Sequence, residues 1–244
     1  MKDLYTAAKR LYEQAFPGED AAFCEALFAH GFPEHLVAMS EQGELCSMLF
    51  ALPYPIMTAQ GAQAAHYLYA VATDEKHRGK GYAKKLLRRV AASGTPVFLR
   101  PMSPSLFDFY KSAGFTPFSP YREWQGEAKE GDVTDFSLLS PDAYLAARDT
   151  FLTAPYCRMT PEFLSLCFSV GGAVGMDGRF AALFERDADT VLFKEWWGDP
   201  ALAPLAASFL GAKHFTARTK DQGGSPFGVG VNIPQDTVFL AALD

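Results

Sequence analysis

The stretch "HYLYAVATDEKHRGKGYAKKLLRRVAAS", residues 66–93, narrows the folds open to this chain more than any other. Its start is rich in tyrosine and β-branched residues and reads as a strand. Its end puts Ala83, Leu86, Leu87, Val90 and Ala91 on one helical face, with Lys84, Lys85, Arg88 and Arg89 mostly on the other. A short loop with Gly79 and Gly81 joins the two. Residues 76–89 carry seven of the chain's 22 Lys and Arg residues and no acid. A strand, a glycine loop and a helix in that order make an anion site. The first helical turn leaves backbone N–H groups unpaired, and the helix dipole adds positive potential there. Glycines in the loop let a diphosphate approach the backbone with no Cβ in the way.

The flanking patterns alternate between the two periodicities. Leu4, Ala8, Leu11, Tyr12 and Ala15 recur at helical spacing, "PGED" interrupts, and "AAFCEALFAHGF" resumes a helix. "HLVAMSEQGELCSMLFALPYPIM" reads as a hairpin turning at "SEQGEL". After the basic helix, "VFLR" is a short buried strand, "SPSLFDFYKSAG" a helix ending at Gly114, and "FTPFSPYREWQ" a strand. "GEAKEGD" (126–132) is the expected linker. Beyond it, "SPDAYLAARDTFL" and "TPEFLSLCFSV" are helices entered through Ser-Pro and Thr-Pro. Strands with turns at "MDGR" and "RDAD" follow, then the helix "PALAPLAASFLGA" and short strands at "HFTAR", "PFGVGVNI" and "TVFLAAL". Helix, helix, meander, helix, strand thus occurs twice. Two copies of one mixed α/β unit, over 1–127 and 132–244, is the expected organisation; a single domain with a C-terminal extension is the alternative.

Composition restricts the partners. The net charge of −6 opposes nucleic acid or an anionic membrane as the main partner, so the basic cluster faces something small. No stretch has the length and apolarity of a membrane span, and the charged start "MKDLYTAAKRLYEQAF" is no signal peptide. The four cysteines and five histidines form no metal-ligand spacing, so no metal is expected. Single cysteines in apolar runs read as reduced thiols of a cytoplasmic protein. The loop is neither a Walker motif nor a dinucleotide fingerprint, since it lacks GxxxxGK[ST] and the third glycine with its following acid.

"VATDEKHRGKGYAKKLL" resembles the acetyl-CoA signature of the GNAT superfamily of N-acetyltransferases, [Arg/Gln]-x-x-Gly-x-[Gly/Ala]. Arg78, Gly81 and Ala83 stand at its three fixed places. Downstream, Phe109, Tyr110, Gly114 and Phe115 in "LFDFYKSAGF" resemble the same superfamily's FY-x-x-x-GF segment. The resemblance is clear over 65–118 and weak after 130. The two-part chain looks most like the tandem-domain branch that includes Eis-type enzymes.

The resemblance implies two units, each with a central, mostly antiparallel twisted sheet flanked by helices, and acetyl-CoA as cosubstrate. The N–H groups of Gly79, Lys80, Gly81, Tyr82, Ala83 and Lys84 would take the diphosphate, with Arg78 at the loop's entry. Val71, Ala72 and Thr73 would end a strand that pairs with the pantetheine arm. A backbone N–H there would polarise the thioester carbonyl. Lys and Arg side chains nearby would reach the 3′-phosphate. Tyr110 is the expected general acid to the departing thiolate, its alternative being a core aromatic beside Phe107 and Phe109. The strand "HYLYAVAT" lacks the Glu that many members use as base. His66, Glu25 and the terminal carboxylate of Asp244 are the remaining candidates.

The second half has neither the signature nor a basic helix after "TVLFKEWWGD", and is expected to bind no CoA. Trp196 and Trp197 there are core packing or part of an acceptor wall. The acceptor expected is a primary amine of a small molecule or peptide. A CoA-binding module without catalysis is the alternative function.

Overall fold

The computed structural model describes residues 2–19, 21–29 and 32–243. The chain divides into two compact units, one of residues 1–56, 62–117 and 228–235 and the other of 57–61, 118–227 and 236–244.

The first unit opens with helices α1 (Lys2–Ala15) and α2 (Ala21–Ala29). Ala8, Leu11 and Tyr12 are buried, which is the apolar stripe expected of an amphipathic first helix. Strands β1 (Leu36–Glu41) and β2 (Glu44–Pro53) follow as an antiparallel hairpin. Its two-residue turn is Gln42–Gly43, with φ of 52° and 86°. Positive φ at both centres gives the turn a twist that matches the strands, which explains why "SEQGEL" folds here. A short hairpin, β3 (Ile56–Thr58) and β4 (Gly61–Gln63), whose residues 57–61 are counted with the second unit, leads to β5 (His66–Thr73). Helix α3 (Tyr82–Ala91) then crosses to β6 (Val97–Leu99), and α4 (Ser105–Ser112) follows. Strand β2 pairs antiparallel with β5, and β5 pairs parallel with β6. The core joins Leu49, Leu68, Leu86, Leu87, Val97, Leu99 and Phe115. Leu86 and Leu87 are wholly buried, contributing roughly 1.5–3 kcal/mol each.

Strand β7 (Thr116–Glu127) carries the chain into the second unit. There come β8 (Ser137–Leu139), α5 (Pro141–Thr150), β9 (Tyr156–Cys157) and α6 (Pro161–Val170). The meander β10 (Gly171–Met176), β11 (Phe180–Asp187) and β12 (Thr190–Gly198) is followed by α7 (Ala203–Phe209) and β13 (His214–Lys220), and β14 (Ser225–Val231) then returns the chain to the first unit, where it pairs antiparallel with β6. The Ser140 and Thr160 side chains accept the N–H of Ala143 and Phe163, with proline opening each helix. Strands β8, β10, β11 and β12 are mutually antiparallel neighbours. Strand β12 then pairs parallel with β13 across α7, repeating the β5–α3–β6 order. Each unit is therefore mixed α/β, with a mostly antiparallel sheet and flanking helices.

Two expectations need correction, and one pair of alternatives is decided. The stretch 126–132 is not a free linker: Gly126 and Glu127 are still in β7, and Ala128 and Lys129 donate N–H bonds to Lys213 and Pro204 carbonyls. A Cβ on Gly126 would lie 2.8 Å from the Phe215 ring, so close packing rather than flexibility explains that glycine. "TVFLAAL" is apolar because 238–243 are buried, yet it forms one isolated bridge, Tyr156 with Val238. Its backbone is satisfied irregularly: the Ser119 hydroxyl accepts the Phe239 N–H and donates to its carbonyl. Trp196 stacks on Phe180 at 4.6 Å inside the second unit, and Trp197 is buried against the Arg148 guanidinium. Both are core side chains.

Candidate active site

A cleft of about 530 Å³ opens in the first unit between the end of β5, the start of α3 and α4. Val71, Ala72, Thr73, Arg78, Gly79, Gly81, Tyr82, Ala83, Lys84 and Tyr110 line it. Ten of the eleven residues singled out from sequence thus come together from three elements; the eleventh, Lys80, is exposed and not part of the lining.

The parallel strands shape this cleft. Strand β6 pairs with β5 only at His66 and Tyr67, so 68–73 run on beyond the end of that ladder. On its other side β5 carries an extra residue: Met48 faces Ala72 but Phe50 faces Tyr69. Ala70 takes the left-handed region at φ 52° to make this bulge, a conformation that costs an L-residue about 1–2 kcal/mol. The bulge re-aims the backbone of 71–73, and such strain collects at functional sites. Ser47 holds the strand end, its hydroxyl donating to the Ala72 carbonyl at 2.7 Å.

The loop is built by two left-handed glycines. Gly79 and Gly81 have φ of 75° and 80°, and nothing lies within 4 Å of a Cβ built on either. Backbone conformation therefore requires glycine at both places. Gly81 is the N-cap of α3, and the first helical bond runs from Lys85 N–H to the Gly81 carbonyl at 3.0 Å. The N–H groups of 82–84 precede that bond, as the opening turn of any helix requires. Upstream, Asp74 caps the turn 75–77 by accepting the Lys76 N–H, and Arg78 folds back toward the Thr73 carbonyl at 3.4 Å.

Tyr110, on α4, is 7 % exposed, its ring edge-on to Phe109 and Phe115. Burial pushes its hydroxyl up to about 12, so it is protonated at neutral pH and can donate. Tyr82 donates to Glu41, and that bond raises it to about 12.

The base candidates stand apart. His66 and Glu25 do not line the cleft. Burial lowers the His66 pKa, and Glu25 forms an ion pair with Lys9. Asp244 lies outside the described residues. Ala15, Phe16, His77, Leu106 and Phe109 also line the cleft. Sequence reasoning missed them as site residues, although Phe109 belongs to the FY motif and His77 directly precedes Arg78. A second cavity of about 210 Å³ is lined by Tyr12, Glu13, Phe16, Pro17, Glu19, Cys24 and Glu25, so Phe16 belongs to both. At its edge the buried hydroxyls of Tyr12 and Tyr69 lie 2.9 Å apart.

In the second unit the residue after β12 is Asp199, which caps the turn 200–202 and pairs with Arg179 at 3.0 Å. Asp74 caps the same kind of turn after β5, but the first unit's glycine loop has no counterpart here, because α7 begins at Ala203 directly after the turn.

Residues 2–118 match the family model described as "Acetyltransferase (GNAT) domain". Solved structures share the fold over most of the chain. A conserved protein from Enterococcus faecalis V583 has a TM-score of 0.69 at 15% identity, covering 94% of this chain and 70% of that one. A GCN5-related N-acetyltransferase from Anabaena variabilis ATCC 29413 has a TM-score of 0.67 at 14% identity, over 91% and 68%. Eis1 from Mycobacterium abscessus has a TM-score of 0.61 at 12% identity, over 93% and 65%. No curated protein matches the sequence. Among the described residues, no helix is long and apolar enough to cross a membrane. Residues 2–118, just under half of the chain, thus carry the match to the GNAT acetyltransferase domain, and GNAT-type N-acetyltransferase is the enzyme class these comparisons support.

Proposed function

We propose that the first unit binds acetyl-CoA in the cleft and transfers its acetyl group directly to a primary amine, with the second half a degenerate GNAT-like unit that holds no CoA. One observation carries this reading. A single cleft is lined by the left-handed glycine loop, the end of β5 that β6 leaves unpaired on one side and the buried phenol of Tyr110. Each supplies one need of the reaction. The N–H groups from Gly79 to Lys84, with Arg78 and Lys84 beside them, suit a diphosphate. The strand end 71–73 offers backbone groups to the pantetheine arm and an N–H to the thioester oxygen.

The amine nitrogen attacks the thioester carbonyl and the C–N bond forms. The C–S bond then breaks, and the departing sulfur takes the Tyr110 proton; the amine proton leaves through solvent. Tyr110 recovers its own proton from water. Holding amine and thioester in reacting geometry is worth up to roughly 7–11 kcal/mol in well-oriented systems. Three carboxylates, Glu13, Glu19 and Glu25, line the cavity that shares Phe16 with the cleft, which favours an acceptor with positive charge beyond the reacting amine, itself attacking as the neutral base. A panel of mono- and polyamines and peptides, read by thiol release from acetyl-CoA and by the mass of the acetylated product, tests the reading. Release that requires an amine, with matching product, is expected. Stoichiometric CoA binding without product from any amine would favour a CoA-binding module instead.

A further inference from the structure

We infer that Glu41, Cys46 and His77 form a binding site for one zinc-class divalent cation beside the cleft that His77 and Tyr82 also line. The three come from separate places: the last residue of β1, the interior of β2 and the turn 75–77. No ligand spacing marks them in the sequence, yet their ligand atoms all lie within 4.8 Å of one another. Cys46 is fully buried, and the His77 side chain is 11 % exposed. This is therefore no surface acidic cluster; two of the three donors are a buried thiol and an imidazole in the cleft wall.

The outer contacts are those a metal site needs. His77 Nδ1 faces Asp74 Oδ1 at 3.2 Å. A carboxylate on that nitrogen holds its proton there, leaving the Nε2 lone pair for a metal. The Tyr82 hydroxyl donates to Glu41 Oε2, leaving Oε1 as a ligand atom. Both non-sulfur ligands thus carry an orienting partner, in the pattern by which ligating histidines and carboxylates are fixed. Donors around a tetrahedral zinc lie roughly 3.3–3.7 Å apart. Glu41 is exposed and can rotate to close the difference.

The donor set selects the ion. Thiolate, imidazole and carboxylate together suit zinc, whereas magnesium and calcium take oxygen ligands. On binding, the Cys46 thiol proton leaves to solvent, and one thiolate and one carboxylate balance the dication with His77 neutral. Three protein ligands leave a fourth position for water. The ion would tie the β1–β2 hairpin to the turn that leads into Arg78.

Cobalt(II) titration of the chelator-treated full-length protein tests this, with zinc as competitor. One cobalt per chain is expected, with a near-ultraviolet thiolate-to-cobalt band and strong tetrahedral visible bands, all abolished by zinc. Cys46→Ser should lose the thiolate band. Asp74→Asn, which touches no metal, should weaken binding about 10–100-fold, the usual effect of removing an outer partner. Glu41→Gln, at an exposed position, should weaken binding while leaving the fold intact and so serves if Cys46→Ser fails to fold. Weak octahedral absorption without a thiolate band overturns the site. So does a band that persists in Cys46→Ser, or affinity unchanged in both Asp74→Asn and Glu41→Gln.

Discussion

Tyr110 carries the sharpest residue-scale claim, because its hydroxyl is dispensable for packing. Tyr110→Phe keeps the ring against Phe109 and Phe115. Turnover is expected to fall about 10²-fold with acetyl-CoA affinity nearly unchanged. Steady-state rates and calorimetry check both halves; unchanged turnover where chemistry limits the rate removes Tyr110 from the mechanism. The same burial sets a pH dependence. In the unfolded chain the phenol ionises near its ordinary value of 10.0, and in the folded protein at about 12. Between those values the unfolded state binds fewer protons, so stability falls as pH rises from 10 toward 12. Urea denaturation at intervals across that window should show a shallower decline for Tyr110→Phe than for the wild type. Gly81 is fixed for a different reason than proximity alone. Its φ of 80° penalises any side chain, by about 1 kcal/mol for alanine. Gly81→Glu adds a negative charge at the anion site as well. Its circular dichroism should stay native while CoA-induced thermal stabilisation disappears.

At the scale of elements, the second unit holds a buried ionic cluster. Glu195, fully buried, accepts from Arg148 Nε at 2.5 Å and from the Tyr144 hydroxyl. Neutralising Glu195 leaves the buried Arg148 with the longer pairing to Asp149 at 3.9 Å, and breaking such a buried pair costs about 3–5 kcal/mol. Glu195→Gln is therefore expected to lower the unfolding free energy by that order in urea melts. The elements that could be read from sequence are those with a local cause. Helix α3 has a complete amphipathic period, the hairpin turn has its Gly43, and α5 and α6 have Ser140-Pro141 and Thr160-Pro161 starts. What stayed hidden depends on distant partners. The Ala70 bulge follows from register against β2, and no residue in "HYLYAVAT" announces it. "TVFLAAL" looks like a strand because it is apolar, but its burial comes without a ladder. Likewise Ala15 and Phe16 reach the cleft only because α1 ends there. The core of the site was legible because loop and FY segment are short motifs; the base was not, since no carboxylate on β5 marks it.

For the whole molecule, a strand–helix–parallel strand step occurs in each unit, β5–α3–β6 and β12–α7–β13, and the two steps differ at the strand-to-helix junction. In the first, β5 passes into α3 through Gly79 and Gly81 with positive charge around them. In the second, β12 passes toward α7 through Asp199 and Pro200, and α7 has no basic residue in its last turn. Topology without the loop should not bind a diphosphate. Function thus resides in the site, not in the repeated architecture. Calorimetric titration of the full-length chain with acetyl-CoA tests this most directly. The account predicts one site per chain in the wild type and none in Gly81→Glu; two equivalent sites, or binding that survives the substitution, would contradict it.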